Sequence, residues 1–112
     1  MGAPREVARA QARVAYSPSA LAEFCRRWMI TRLELFGSVL RDDFRADSDI
    51  DVLVTFAEGA NWTLFDHVHM RDELSELLGR RVDVVNRRAI ERSANWIRRA
   101  QILDTAEPWY AA

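Results

Sequence analysis

A small α/β (α+β) domain, in which helices flank one mixed β-sheet, is the fold class that three observations in the sequence predict. Residues 49–56 alternate, with Ile50, Val52, Val54 and Phe56 on one side and Asp49, Asp51, Leu53 and Thr55 on the other, which is the period of a strand. Residues 64–78 carry Val68, Met70, Leu74, Leu77 and Leu78 at helical intervals and run into Gly79, a residue suited to end a helix. Along the chain the segments follow as helix, strand, strand, helix, strand, helix.

Residues 1–16 are rich in Ala and Arg and read as an N-terminal extension, either mobile or a short helix striped by Val7, Ala10 and Val14. Residues 17–112 form the folded domain. Ser17 and Pro18 make a favourable helix start, an N-cap followed by a proline at the first helical position. Leu21, Phe24, Cys25 and Trp28 then recur at helical spacing. Residues 31–36 read as a first strand closed by Gly37-Ser38, and residues 82–85 as a short third strand. A final helix is expected over residues 88–105, with Ile90, Ala94, Ile97 and Leu103 facing inward and an end before Pro108.

The 112 residues suffice for one hydrophobic core, and 49% apolar with 29% charged residues is a globular balance. Sixteen basic residues, all Arg, oppose 17 acidic ones for a formal net charge of −1, so no global basic field draws the chain onto nucleic acid. Cys25 is the single cysteine, which excludes an intrachain disulfide and a cysteine zinc cluster. Neither a membrane-length apolar run nor a signal-peptide core is present, and the expected location is the cytoplasm.

Three carboxylates point to chemistry. Asp49 and Asp51, two apart on a strand, project from one face about 7 Å from each other. Asp83 sits between Val82 and Val84 on the next predicted strand. Aspartate is a poor strand former, and several on apolar strands repel one another unless a cation compensates. Hard divalent ions such as Mg²⁺ select carboxylate oxygens together with substrate phosphates, and paired ions suit phosphoryl chemistry. A single such Asp is more often a salt-bridged or edge-strand residue; the trio favours a site. Gly37-Ser38, directly after a strand, lets the backbone approach an anion closely.

Spacing links the two features. Gly37-Ser38, ten residues, then Asp49-Ile50-Asp51 resembles the Gly-Ser-x10-Asp-x-Asp signature of the polymerase-beta-like nucleotidyltransferases. A chance match in a chain of this length has a probability on the order of one in a thousand at average residue frequencies. The surrounding Leu35-Phe36-Gly37-Ser38-Val39-Leu40-Arg41 and Ser48-Asp49-Ile50-Asp51-Val52-Leu53-Val54 resemble the minimal nucleotidyltransferase branch, over about residues 21–103. That resemblance implies the polymerase-beta-like fold, with Gly37 and Ser38 holding the β- and γ-phosphates of a nucleotide. Asp49, Asp51 and Asp83 would be the catalytic, metal-ligating residues, with two Mg²⁺ ions as cofactors and ATP as substrate. It further implies an antitoxin that transfers AMP to a tyrosine of an all-helical HEPN-type toxin. The chain lacks the Arg-x4-His ribonuclease motif of such a toxin and reads as the partner.

Two other readings compete. One is a non-catalytic binding module, which has no need of clustered aspartates; the other is the catalytic half of a two-chain enzyme acting on a small molecule or RNA. No segment reads as an acceptor-binding domain, so the acceptor is expected to arrive on a partner. Arg41 is either a phosphate contact or an exposed turn residue. His67 and His69 do not share a helix face and make a poor metal pair. Cys25 belongs to the apolar stripe of the first helix, and the four tryptophans, Trp28, Trp62, Trp96 and Trp109, are expected mostly buried. Arg80, Arg81, Arg87, Arg88, Arg92, Arg98 and Arg99 make the last third locally basic, a solvated face in the plainer reading.

Overall fold

A computed structural model describes residues 13–112. The stripe expected from Val7 and Ala10 lies outside the described residues. Helix α1 (Pro18–Arg27) begins where its cap is: the Ser17 side chain accepts the Ala20 N–H, Pro18 opens the first turn, and Leu21, Phe24 and Cys25 face the core. Strand β1 (Ile30–Phe36) follows, then one turn of 3₁₀ helix (Gly37–Leu40) and strand β2 (Ile50–Phe56). Helix α2 (Leu64–Leu78) is fixed at its start by a capping box between Thr63 and Asp66 and stopped by Gly79 at φ 64°. Strand β3 (Val82–Asn86), helices α3 (Arg87–Glu91) and α4 (Trp96–Thr105) and strand β4 (Glu107–Ala111) complete the described chain.

The sheet is mixed, in the order β3-β2-β1-β4. β1 pairs antiparallel with both β2 and β4, whereas β2 and β3 run parallel, joined across one face by α2. Period-2 alternation sends the two sides of β2 into different surroundings. Ile50, Val52 and Val54 join Leu33, Leu35, Phe24, Met70 and Leu74 in the main core beneath α1 and α2. Leu53 points the other way, into a smaller cluster with Phe36, Ile90 and Ile102. Val14 is buried in the main core, and the Tyr16 ring meets Trp109 edge-on at 5.3 Å. No described helix is long and apolar enough to cross a membrane.

Four expectations are corrected. The helix expected over residues 88–105 is two helices, because Ser93 and Asn95 turn the chain: the Asn95 side chain caps a new start by accepting the Arg98 N–H at 3.1 Å. The interruption resets the helical phase, so Ile102 is buried while Ile97 is 55% exposed. The chain after the last helix forms a strand, β4, that short segments around a proline do not announce. The tryptophans do not share one fate: Trp109 is buried, Trp28 and Trp62 pack edge-on half-buried, and Trp96 is 65% exposed. The basic third is not one solvated face either, since Arg80 and Arg87 are half-buried, Arg80 bonded to the carbonyls of the loop before Asp49 and Arg87 to the buried Glu34.

Candidate active site

The sheet register assembles the carboxylates. Asp51 and Asp83 are direct partners on the parallel pair β2–β3, so their side chains leave the same face of adjacent strands. Asp51 is also opposite Phe36, the last residue of β1. The turn that begins at Gly37 therefore starts against the Asp51 carboxylate. Gly37 has φ +76°, and a β-carbon there would overlap Asp51 Oδ2 and stand 3.1 Å from its Cγ. Only glycine lets backbone and carboxylate lie this close.

Ser38 ties the same elements together. Its backbone N–H donates to the Asp51 carboxylate, and its hydroxyl donates to the Asp49 carbonyl at 3.2 Å. Asp49 stands one residue before β2, half-exposed, with its Oδ1 3.1 Å from Arg81 Nε. The three aspartates line one open cleft of about 450 Å³ at the start of β2 and β3, where Arg71 and Asp72 of α2 form the far wall. Four carboxylates thus meet two guanidiniums, a locally negative cleft on a nearly neutral chain.

The cost of that arrangement falls on Asp51. Its carboxyl is held above the usual carboxylate range, first by burial, then by the charge of Asp83 and, less, that of Asp49; the Ser38 N–H and the Arg41 guanidinium act in the opposite direction. As the side chains stand, no three carboxylate, imidazole or thiol groups among the described residues converge closely enough to hold a metal ion. Mg²⁺, however, uses one or two protein carboxylates and completes its shell with water and phosphate. The in-register Asp51–Asp83 pair, with an electrostatic cost that a cation relieves, fits such an ion.

A second groove, about 770 Å³, runs between the 3₁₀ turn and α4. Gly37 and Arg41 line it on one side and Arg98 on the other, over Phe36 and Ile102. Arg98 carried no distinguishing signal in the sequence beyond its charge. The histidines stay out of the site: His67 meets the Phe56 ring edge-on at 5.7 Å, and His69 is exposed.

Residues 18–106 match the family model described as nucleotidyltransferase domain. The chain belongs to this family. A solved structure of a candidate minimal nucleotidyltransferase is 42% identical, with a TM-score of 0.61 over 81% of this chain and 87% of that one. A candidate protein adenylyltransferase of Methanocaldococcus jannaschii is 43% identical over 61 residues, 54% of this chain; the match spans 63% of that relative's length. The protein adenylyltransferase MntA of Thermococcus cleftensis is 33% identical over 69 residues, 62% of this chain and 68% of the relative. A toxin–antitoxin structure with AMP-PNP shares the fold at 21% identity and a TM-score of 0.63, over 84% of this chain and 73% of that one. The sheet and helices of this nucleotidyltransferase-family chain are those of its structural neighbours.

Proposed function

We propose that this chain is a Mg²⁺-dependent nucleotidyltransferase that moves AMP from ATP to a tyrosine hydroxyl of a HEPN-type toxin and so acts as its antitoxin. The observation that carries the reading is the packing of the Gly37 backbone onto Asp51, itself in register with Asp83. The turn thus abuts the carboxylate pair, with the aspartate cleft on one side and the groove lined by Gly37 and Arg41 on the other. The adenylyltransferase relatives support the reaction class, and the toxin–antitoxin neighbour with AMP-PNP supports the donor and the partner.

In this reading Asp51 and Asp83 would hold the cation, with Asp49, now paired with Arg81, as the third carboxylate available to it. Bound there, Mg²⁺ would supply charge neutralisation for the triphosphate and favour the deprotonated acceptor oxygen. Gly37 and Ser38 hold the β- and γ-phosphates, with Arg41 close by across the turn. The acceptor oxygen forms a bond to the α-phosphorus, the bond from that phosphorus to the α–β bridging oxygen breaks, and pyrophosphate leaves. Asp83 is exposed in the cleft, and in this reading it would help take the proton from the acceptor hydroxyl. Fixed carboxylates and backbone donors supply orientation, the main contribution in phosphoryl transfer.

Incubation of the chain and its co-purified partner with Mg²⁺ and either α- or γ-labelled ATP tests this. Label should reach the partner from the α-position only, and Asp51→Asn should abolish it without unfolding the protein. Label from the γ-position would mean kinase chemistry; label on RNA or a small molecule, and none on protein, would remove the antitoxin reading.

A further inference from the structure

Between the Gly-Ser turn and Asp49 the chain has no regular structure, yet residues 41–48 must deliver Asp49 to the edge of the cleft. Their internal bonds are few: the Phe44 N–H reaches the Arg41 carbonyl at 3.3 Å, and Arg45 and Ser48 bond each other at 3.0 and 3.1 Å. Residues from outside hold the segment down: Arg13 reaches the Arg41 carbonyl and pairs with Asp42 at its start, and Arg80 holds the stretch next to Asp49. Arg80, in the turn between α2 and β3, donates through Nη2 to the carbonyls of Arg45 at 2.7 Å and Ser48 at 2.6 Å. Its guanidinium lies over the Phe44 ring, 4.4 Å from the centroid. The next residue takes the other side of Asp49. The Arg81 carbonyl accepts the Ile50 N–H at 3.0 Å, and Arg81 Nε meets the Asp49 carboxylate.

Positions 80 and 81 therefore grip the residue before Asp49, its side chain and the residue after it. Of these contacts, the Arg81 ion pair is exposed and worth little in water. The Arg80 bond to the Ser48 carbonyl is part-buried and that to Arg45 exposed, and a planar guanidinium bridges the two carbonyls while its flat face covers an aromatic ring. Its Nε is buried with no hydrogen-bond partner. The side chain is thus held in a geometry that favours the loop over its own full solvation.

We propose that Arg80 is a positioning residue: it fixes residues 41–48 and thereby holds Asp49 and the Gly-Ser turn in place for a nucleotide–cation complex. The proposal rests on the nucleotidyltransferase reading above. It accounts for how a loop without secondary structure carries one of three carboxylates to a defined place.

The test uses Arg80→Met and Arg80→Lys, each measured at a temperature where it is fully folded. Hydrogen exchange of residues 41–50 reports the loop, and calorimetry reports binding of ATP with Mg²⁺. For Arg80→Met, exchange in that segment should rise at least tenfold relative to β1, and the Kd for Mg·ATP should rise about tenfold, the effect of one lost charged hydrogen bond. Arg80→Lys should recover part of the binding, because it keeps the charge and a donor. Unchanged Mg·ATP affinity in folded Arg80→Met would overturn the proposal even if its Tm fell, since a purely structural role predicts that pattern. If Arg80→Met does not fold, Arg80→Lys and Phe44→Leu decide by the same two measurements, with weaker binding in support and wild-type binding against. Wild-type protein that binds no Mg·ATP would overturn this proposal and the nucleotidyltransferase reading together; binding by wild type and by the folded variant alike would overturn only the role of Arg80.

Discussion

Replacing Gly37 with alanine forces a β-carbon onto Asp51. Two costs add. A non-glycine residue at φ +76° bears about 1–2 kcal/mol of backbone strain. The new carbon must also displace the Asp51 carboxylate, and loss of its bond from the Ser38 N–H costs about 1.5–3 kcal/mol for a charged acceptor. Together these come to about 2.5–5 kcal/mol, or roughly 10–20 °C in Tm for a domain of this size. Gly79→Ala is the control, since Gly79 has φ +64° but no heavy atom within 4 Å of an added β-carbon, so it reports the backbone cost alone. Pairing Gly37→Ala with Asp51→Ala removes the carboxylate and leaves the Asp51 β-carbon at 3.4 Å, an ordinary contact. Thermal and urea melts of the four members of the cycle should give a favourable coupling of about 2 kcal/mol. Equal losses for Gly37→Ala and Gly79→Ala, with no coupling to Asp51, would refute the claim that turn and carboxylate compete for one space.

Further outcomes follow from the same structure. Asp51 binds its proton more tightly folded than unfolded, so as pH rises from the ordinary carboxylate value of about 4 the unfolded chain loses the proton first and stability falls. In chelator-treated buffer, Asp51→Asn should therefore gain on wild type between pH 4 and 7 in melts, and a gap constant with pH would contradict this. Burial pushes the Cys25 thiol up to about 12, so a disulfide reagent at pH 8 should label it only as fast as the protein unfolds; prompt stoichiometric labelling of native protein would count against its place in the core. Glu34 is buried and accepts from Arg87 at 2.6 Å and pairs with Arg32 at 3.3 Å. Glu34→Ala leaves the half-buried Arg87 with only Glu91 and should cost about 3 kcal/mol, near 12 °C in Tm, and a shift below a third of that would mean that solvent already screens the pair.

What was legible in the sequence followed from local chemistry. The alternation of residues 50–56, the Gly79 end of α2, and the Ser17-Pro18 start of α1 each carry their cause in neighbouring residues. The Gly-Ser and Asp-x-Asp elements were visible through spacing. Their meeting was not, because the opposition of Asp51 to both Phe36 and Asp83 is a register between strands far apart in the chain. β4 escaped notice because β1 supplies its reason to exist, and Pro108 argues locally against a strand. Glu34 did leave a trace, a lone carboxylate between Leu33 and Leu35, but its partner Arg87 lies 53 residues away. Arg80 was hidden among like residues, and nothing in its neighbourhood announces that two carbonyls of another loop need its donors.

Strand β4 also bears on self-association. β1 is an almost wholly buried strand with Leu33, Leu35 and Phe36 packed on its faces, and among the described residues the five of β4 keep it from the sheet's boundary. Clipping those residues would bare a row of unpaired N–H and C=O groups along an apolar ribbon, the template on which foreign strands add. The cover is itself poorly suited to receive another strand, because Pro108 offers no N–H to an incoming chain. β4 thus works as an insulating strip, and proteolysis there should show first as oligomers in light scattering.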